Sequence, residues 1–154
     1  MRVFRIQKLK YGEDISGMGS NLVSGRWNLK GDNLILYTAE NKSLALLEKI
    51  ESFSTKPGIK PPAFILLEIE LPDEMITYLK DSQLPNGWND ENNHAPTQTL
   101  GMRWLIKNES LALSVPSVIS YDRNILINPQ HLNFKFVKIV KSIKNFPIDK
   151  RLIK

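Results

Sequence analysis

The 154-residue chain contains no cysteine. That excludes disulfides, thiolate nucleophiles and cysteine-ligated zinc or iron–sulfur centres. Imidazole is nearly as scarce: His94 and His131 are the two histidines, they lie far apart, and neither belongs to a His-x-x-x-His or carboxylate-linked pattern. A metal site is therefore not expected. No apolar run approaches the roughly 20 residues of a membrane span. The opening MRVFRIQKLK alternates basic and apolar residues instead of leading into an apolar core and cleavage site, so the cytoplasm is the expected location. A glycine-rich phosphate loop is also missing. Gly17-Met18-Gly19 begins like a dinucleotide fingerprint, but the next glycine falls at position 25 and no Gly-Lys-Ser/Thr follows.

What is present describes a globular chain, with 42% hydrophobic and 24% charged residues and a mean hydropathy of -0.26. The length suits one ordinary domain, so residues 1–154 are read as a single unit. The net charge is +5. Its lysines are dense toward the C-terminus, and from Phe134 to Lys144 they partly alternate with apolar residues, as on a solvated strand face. Neither a recognition helix nor an aromatic platform is evident, so direct nucleic-acid binding is not expected. The basicity favours an acidic partner instead.

Alternation predicts strands over Arg2–Lys8, Phe64–Leu71, Met75–Leu79 and Leu111–Ser117. Another is ended by Asn128-Pro129, and a last one runs from Phe134 to Ile143. The apolar run Leu34-Ile35-Leu36 reads as a strand closed by Tyr37. Helices are predicted from Ser43 to Phe53, stopped by Lys56-Pro57-Gly58, and from Thr97 or Thr99 through Trp104, which is assigned to the core. Gly12 to Gly31, with Ser16, Ser20 and Ser24, reads as a loop, as does the polar stretch Leu84 to Pro96. Glu68 and Glu70 share a strand face, where solvation near a sheet edge accounts for them. Short strands with two convincing helices imply a compact α+β domain.

The chemistry concentrates in residues 24–48, SGRWNLKGDNLILYTAENKSLALLE. Arg26 lies in a Gly-Arg-Trp-Asn turn, Tyr37 at a strand end and Glu48 on a helix, about 40° around from Leu44 at the margin of the apolar face. Arginine offers planar, bidentate donors to phosphate. Tyrosine combines a ring that stacks with a hydroxyl that donates. A glutamate can accept from ribose hydroxyls or stabilise positive charge at an anomeric carbon, as carboxylates do in glycoside hydrolysis. Each residue has a plainer reading: Arg26 stacked on an aromatic neighbour, Tyr37 packed at a sheet end, Glu48 on the surface. Arg5 is likewise open between a ligand-facing arginine and an exposed strand cation. Ser117 lacks the histidine base and oxyanion hole of a nucleophile, so hydrogen bonding to a ligand or to Glu48 is its expected role.

The Gly25-Arg26-Trp27-Asn28 turn, the Ile35-Leu36-Tyr37 strand and the Ala45-Leu46-Leu47-Glu48 helix resemble the signature of the RES domain family, named for its arginine, glutamate and serine. Val115-Pro116-Ser117, Asn124 through Pro129, and the closing Asp149-Lys150-Arg151-Leu152 extend the resemblance along nearly the whole chain. It implies a fold similar to ADP-ribosyltransferases, with a split mixed or antiparallel sheet core and a few flanking helices. It implies the toxin of a bacterial type II toxin–antitoxin pair that cleaves the nicotinamide–ribose bond of NAD, as glycohydrolase or phosphorylase. NAD is then a substrate, with no cofactor, and the partner is an Xre-type helix-turn-helix antitoxin in a hetero-oligomer. Arg26, Tyr37 and Ser117 would bind the ligand, and with Glu48 form the catalytic set. Alternatives are an ADP-ribosyltransferase acting on a protein, or an inactive NAD-binding or protein-interaction module.

Overall fold

Seven strands form one mixed sheet in the order β4-β5-β6-β2-β1-β3-β7. They are β1 (Arg2–Lys8), β2 (Leu36–Ala39), β3 (Phe64–Glu70), β4 (Ile76–Tyr78), β5 (Ala112–Pro116), β6 (Arg123–Ile127) and β7 (Lys138–Lys144). All registered neighbours are antiparallel except β4 and β5. Three α-helices accompany them: α1 (Met18–Leu22), α2 (Lys42–Glu51) and α3 (Ala95–Lys107). The computed structural model describes residues 1–31, 33–52 and 61–152. Among these, no helix is long and apolar enough to cross a membrane.

The two halves of the sheet are joined narrowly. β1 pairs with β3 along its whole length, from Arg2 opposite Glu70 to Lys8 opposite Phe64, whereas its register with β2 consists of Phe4 opposite Ala39. Side-chain alternation then sorts the core by face. One face carries Val3, Leu36, Ile65, Leu67, Ile69, Ala112, Ile125 and Ile127 in a single buried cluster. The opposite face carries two. Trp27, Ile35, Leu113, Val115 and Leu126 gather beneath Trp104 of α3, while Ile6, Phe64 and Leu66 gather beneath Leu44 and Ala45 of α2. The gap between these two clusters positions the polar residues described below.

Several boundaries differ from the sequence reading, each for a local reason. Tyr37 is the second residue of β2 rather than its end, because Tyr37, Thr38 and Ala39 all pair with β6. Ile35 stays in the loop, its amide donating to Ser20 Oγ at 2.7 Å. The stretch from Gly12 to Gly31 contains α1. α2 starts at Lys42 because Asn41 Oδ1 accepts the Leu44 amide at 2.8 Å. Its expected end at Phe53 and the Lys56-Pro57-Gly58 stop lie outside the described residues. α3 starts at Ala95, with proline in its first turn where a missing amide hydrogen is harmless. The last strand is shorter than expected: Leu132–Phe136 is a 3-10 turn capped by His131 Nδ1, and the strand begins only at Lys138.

Glu68 is the clearest correction. β3 lies inside the sheet between β1 and β7, and Glu68 is 5% exposed. Its carboxylate meets Lys42 Nζ of α2 at 2.7 Å. The Lys42 ammonium, as donor and as charge, holds that carboxyl below its usual range against the opposing effect of burial. Glu70, one turn of the pleat further on, is exposed as expected.

Candidate active site

Glu48 leans from α2 over the gap between the two clusters. Ser117 Oγ donates to its Oε1 at 2.9 Å, and Asn124 Nδ2 donates to the same oxygen at 2.6 Å. Among the described residues no hydrogen bond ends on Oε2. Ser117 is itself fixed just past β5: its amide donates to the Asp122 carbonyl at 3.0 Å, and its Oγ accepts the Ile119 amide at 3.1 Å. Pro116 ends the strand and turns Ser117 into this position. Ser114, its neighbour in sequence, is buried in another role, accepting from Arg123 Nε at 2.7 Å.

Tyr37 stands on the same sheet face, one residue pair along from Asn124, since Tyr37 is registered with Leu126 and Ala39 with Asn124. Its hydroxyl donates to Asn28 Oδ1 at 2.7 Å and accepts the Trp27 amide at 3.2 Å. The hydroxyl is thus engaged inside the protein, and the ring face is what it can present to a ligand. Burial pushes its pKa well up, with the Glu48 charge adding to the rise, so Tyr37 remains a protonated donor at ordinary pH.

The turn that carries Arg26 is held on three sides. Tyr37 grips it at Trp27 and Asn28, and Gln98 of α3 donates to the Gly25 carbonyl at 2.9 Å. Gly101 of α3 lies so close to the Trp27 backbone that a Cβ there would collide with it. At Gly25 a Cβ would meet Asn28 Oδ1 at 2.8 Å and the Tyr37 hydroxyl at 2.9 Å, so this position too is kept bare by packing. Arg26 Nη1 then donates to the carbonyls of Trp88 and Asp90, at 2.8 and 3.0 Å. The polar loop over residues 84–94 is therefore fastened to the arginine expected to bind phosphate.

The fold accordingly brings Glu48 and Ser117 into direct contact and ties Tyr37 to the Arg26 turn. Among the described residues, Arg26 makes no hydrogen bond to Tyr37, Glu48 or Ser117. Arg5 is not the exposed strand cation of one of its two readings. It is half-buried at the narrow joint between β1 and β2, with Nη1 donating to the Tyr37 carbonyl at 2.7 Å and Nε to Gln7 Oε1 at 2.7 Å. Burial lowers its pKa, with Asp14 opposing. The residue sequence reasoning missed is Asn124. Alternation from Leu126 places it on the face that also carries Val115 and Leu113, and a carboxamide on that apolar face was the available signal.

Two surface hollows lie elsewhere. One of about 460 Å³ runs along α3 beside Leu29, and one of about 150 Å³ adjoins Pro61, Phe64 and Phe146. Neither is lined by Arg26, Tyr37, Glu48 or Ser117. The convergent polar chemistry, rather than the larger hollow, marks the candidate site.

Comparison with known proteins agrees with the residue pattern. A family model described as RES domain matches residues 2–149. A protein of Photorhabdus laumondii called Toxin Res is 34% identical, covering 100% of this chain and 98% of its own length. A Sphingobium protein called Prs ADP-ribosylating toxin is 34% identical, covering 92% of this chain and 88% of its own. The toxin–antitoxin complex MbcT-MbcA of M. tuberculosis contains a chain of the same fold, with a TM-score of 0.75 at 17% identity, covering 93% of this chain and 82% of that one. On the family match and these full-length relatives, the chain belongs to the RES domain family.

Proposed function

We propose that this protein is the toxin of a bacterial type II toxin–antitoxin pair and that it cleaves the nicotinamide–ribose bond of NAD. The observation that carries this reading is the Glu48 carboxylate, held through Oε1 by Ser117 and Asn124 with Oε2 left for a ligand. In the reaction the C–N bond breaks and its electron pair leaves with neutral nicotinamide. Positive charge develops on the ribose, and Oε2 stabilises it electrostatically. Arg26 exchanges its loop carbonyls for the pyrophosphate, a stronger, charge-assisted partner. The Tyr37 ring packs against the nicotinamide ribose or base. Water, phosphate or a protein side chain then adds to the ribose, making the protein a glycohydrolase, a phosphorylase or an ADP-ribosyltransferase.

The transferase reading has support of its own in the name of the Sphingobium relative. An antitoxin partner is supported by the relatives called Toxin Res and by the complex that holds the structural neighbour; that it is of the Xre helix-turn-helix type follows from the family resemblance. The test follows NAD and free nicotinamide with purified protein, freed of any partner, with and without phosphate. Wild type is expected to release nicotinamide and Arg26→Ala to do so far more slowly with a raised KM. Dependence on phosphate identifies the phosphorylase. NAD left intact by the free wild type contradicts the reading.

A further inference from the structure

We infer that Asn124 is a positioning residue of this reaction, forming with Ser117 a two-donor clamp that aims Glu48; the inference rests on the function proposed above. A carboxylate only accepts, so the Asn124 group at 2.6 Å from Oε1 has to be the amide nitrogen, which fixes the carboxamide's orientation. Ser117 Oγ donates to the same oxygen while its own lone pair is taken by the Ile119 amide. Both donors therefore converge on Oε1, and together they set the rotation of the carboxylate.

The clamp is rigid because its supports are. Asn124 lies in β6 and is registered with Ala39 on one side and Val115 on the other, so its backbone is held by a strand on either side. The next residue, Ile125, is fully buried on the opposite face and anchors the strand beneath it. A neutral donor pair fixed on a strand and a strand end holds the carboxylate with little reorganisation as positive charge develops opposite Oε2. Asn124 is therefore assigned to act through Glu48.

The experiment compares wild type, Asn124→Ala and Asn124→Asp by steady-state nicotinamide release from NAD, with thermal midpoints recorded for each. Losing a hydrogen bond to a charged group predicts that Asn124→Ala lowers kcat by about ten- to a hundredfold with KM near wild type. Asn124→Asp, nearly isosteric, sets a second carboxylate against Oε1 and is expected to lose more. Should either variant fold poorly, Asn124→Ser keeps a polar group too short to reach, and it must reproduce the kcat loss. A folded Asn124→Ala enzyme with wild-type kcat overturns the clamp, as does a change confined to KM. Absence of release from wild type itself instead overturns the underlying NAD reading, so the two failures are distinct.

Discussion

Gly101→Ala is the substitution whose consequence the packing specifies most fully. A Cβ at Gly101 would sit 2.9 Å from the Trp27 carbonyl carbon and closer still to its oxygen. The oxygen sets the limit: carbon–oxygen contacts settle at about 3.3 Å or more, so the turn or the helix must retreat by roughly 1 Å or more. Neither side yields easily: the colliding group is backbone, and Trp27 is 2% exposed within the cluster under α3. Overpacking of this kind costs about 1–3 kcal/mol, while alanine in place of glycine inside a helix returns about 1 kcal/mol. The net loss is about 0–2 kcal/mol, or up to roughly 8 °C in Tm for a chain of this size. Activity should suffer more. The displaced turn carries Arg26, and a misplacement near 1 Å can cost about a hundredfold in rate. Thermal unfolding and nicotinamide release measure the two effects. Gly19→Ala on α1, where nothing lies within 4 Å of the added carbon, is the control: it should leave the rate unchanged, with Tm equal to wild type or higher from the gain in helix propensity. Wild-type rate and Tm in Gly101→Ala would refute the claim that contact with α3 sets the position of the turn.

Other perturbations follow from single contacts. Tyr37→Phe leaves the buried Asn28 Oδ1 and the Trp27 amide without their partner, and should cost about 1–3 kcal/mol in denaturant unfolding while lowering activity. Glu68 in the folded protein has a carboxyl pKa below its ordinary 4.5, so its contribution is complete above that value and is lost as pH falls through the folded pKa. Acid unfolding curves should therefore show a smaller drop below pH 4.5 for Glu68→Gln than for wild type, from a lower starting stability. Asn41→Ala removes the acceptor for the Leu44 amide and should lower stability by about 1 kcal/mol in the same measurement.

The residues that form the candidate site were legible in the sequence because each belongs to a local pattern. Glu48 could be placed at the margin of an apolar helix face from spacing, whereas Ser117, after a proline that ends a strand, was selected by the resemblance of Val115-Pro116-Ser117 to the family pattern. Hydrogen bonding to Glu48 was one of the two roles expected of Ser117, and the 2.9 Å contact decides for it; what the sequence did not supply is the pairing of β5, β6 and β2, segments distant along the chain, that brings the two together. For Asn124, alternation from Leu126 gave the face but not the partners. Its neighbours on the face are Ala39 and Val115, which only the register supplies. Strand alternation located Glu68 on a face but not within the sheet, so the expected solvated edge gave way to a buried ion pair once β7 was seen to cover that side. The mistaken strand start at Phe134 has a local cause: His131 and Asn133 set a cap, and a 3-10 turn satisfies the backbone where alternation alone suggested an extended chain. The Arg26 guanidinium, finally, was assigned to phosphate by its chemistry. Its present partners are backbone carbonyls of a loop whose polar composition did not reveal what it would cover.

The central claim is that Glu48 stabilises the ribosyl cation released from NAD, and Glu48→Gln tests it most directly, because the amide keeps the shape of the side chain and removes its charge. NAD affinity by titration calorimetry and nicotinamide release by chromatography should be measured on the same preparation. NAD affinity is expected within a few-fold of wild type, with release slowed by about a hundredfold or more. Release from folded Glu48→Gln at the wild-type rate would contradict the claim.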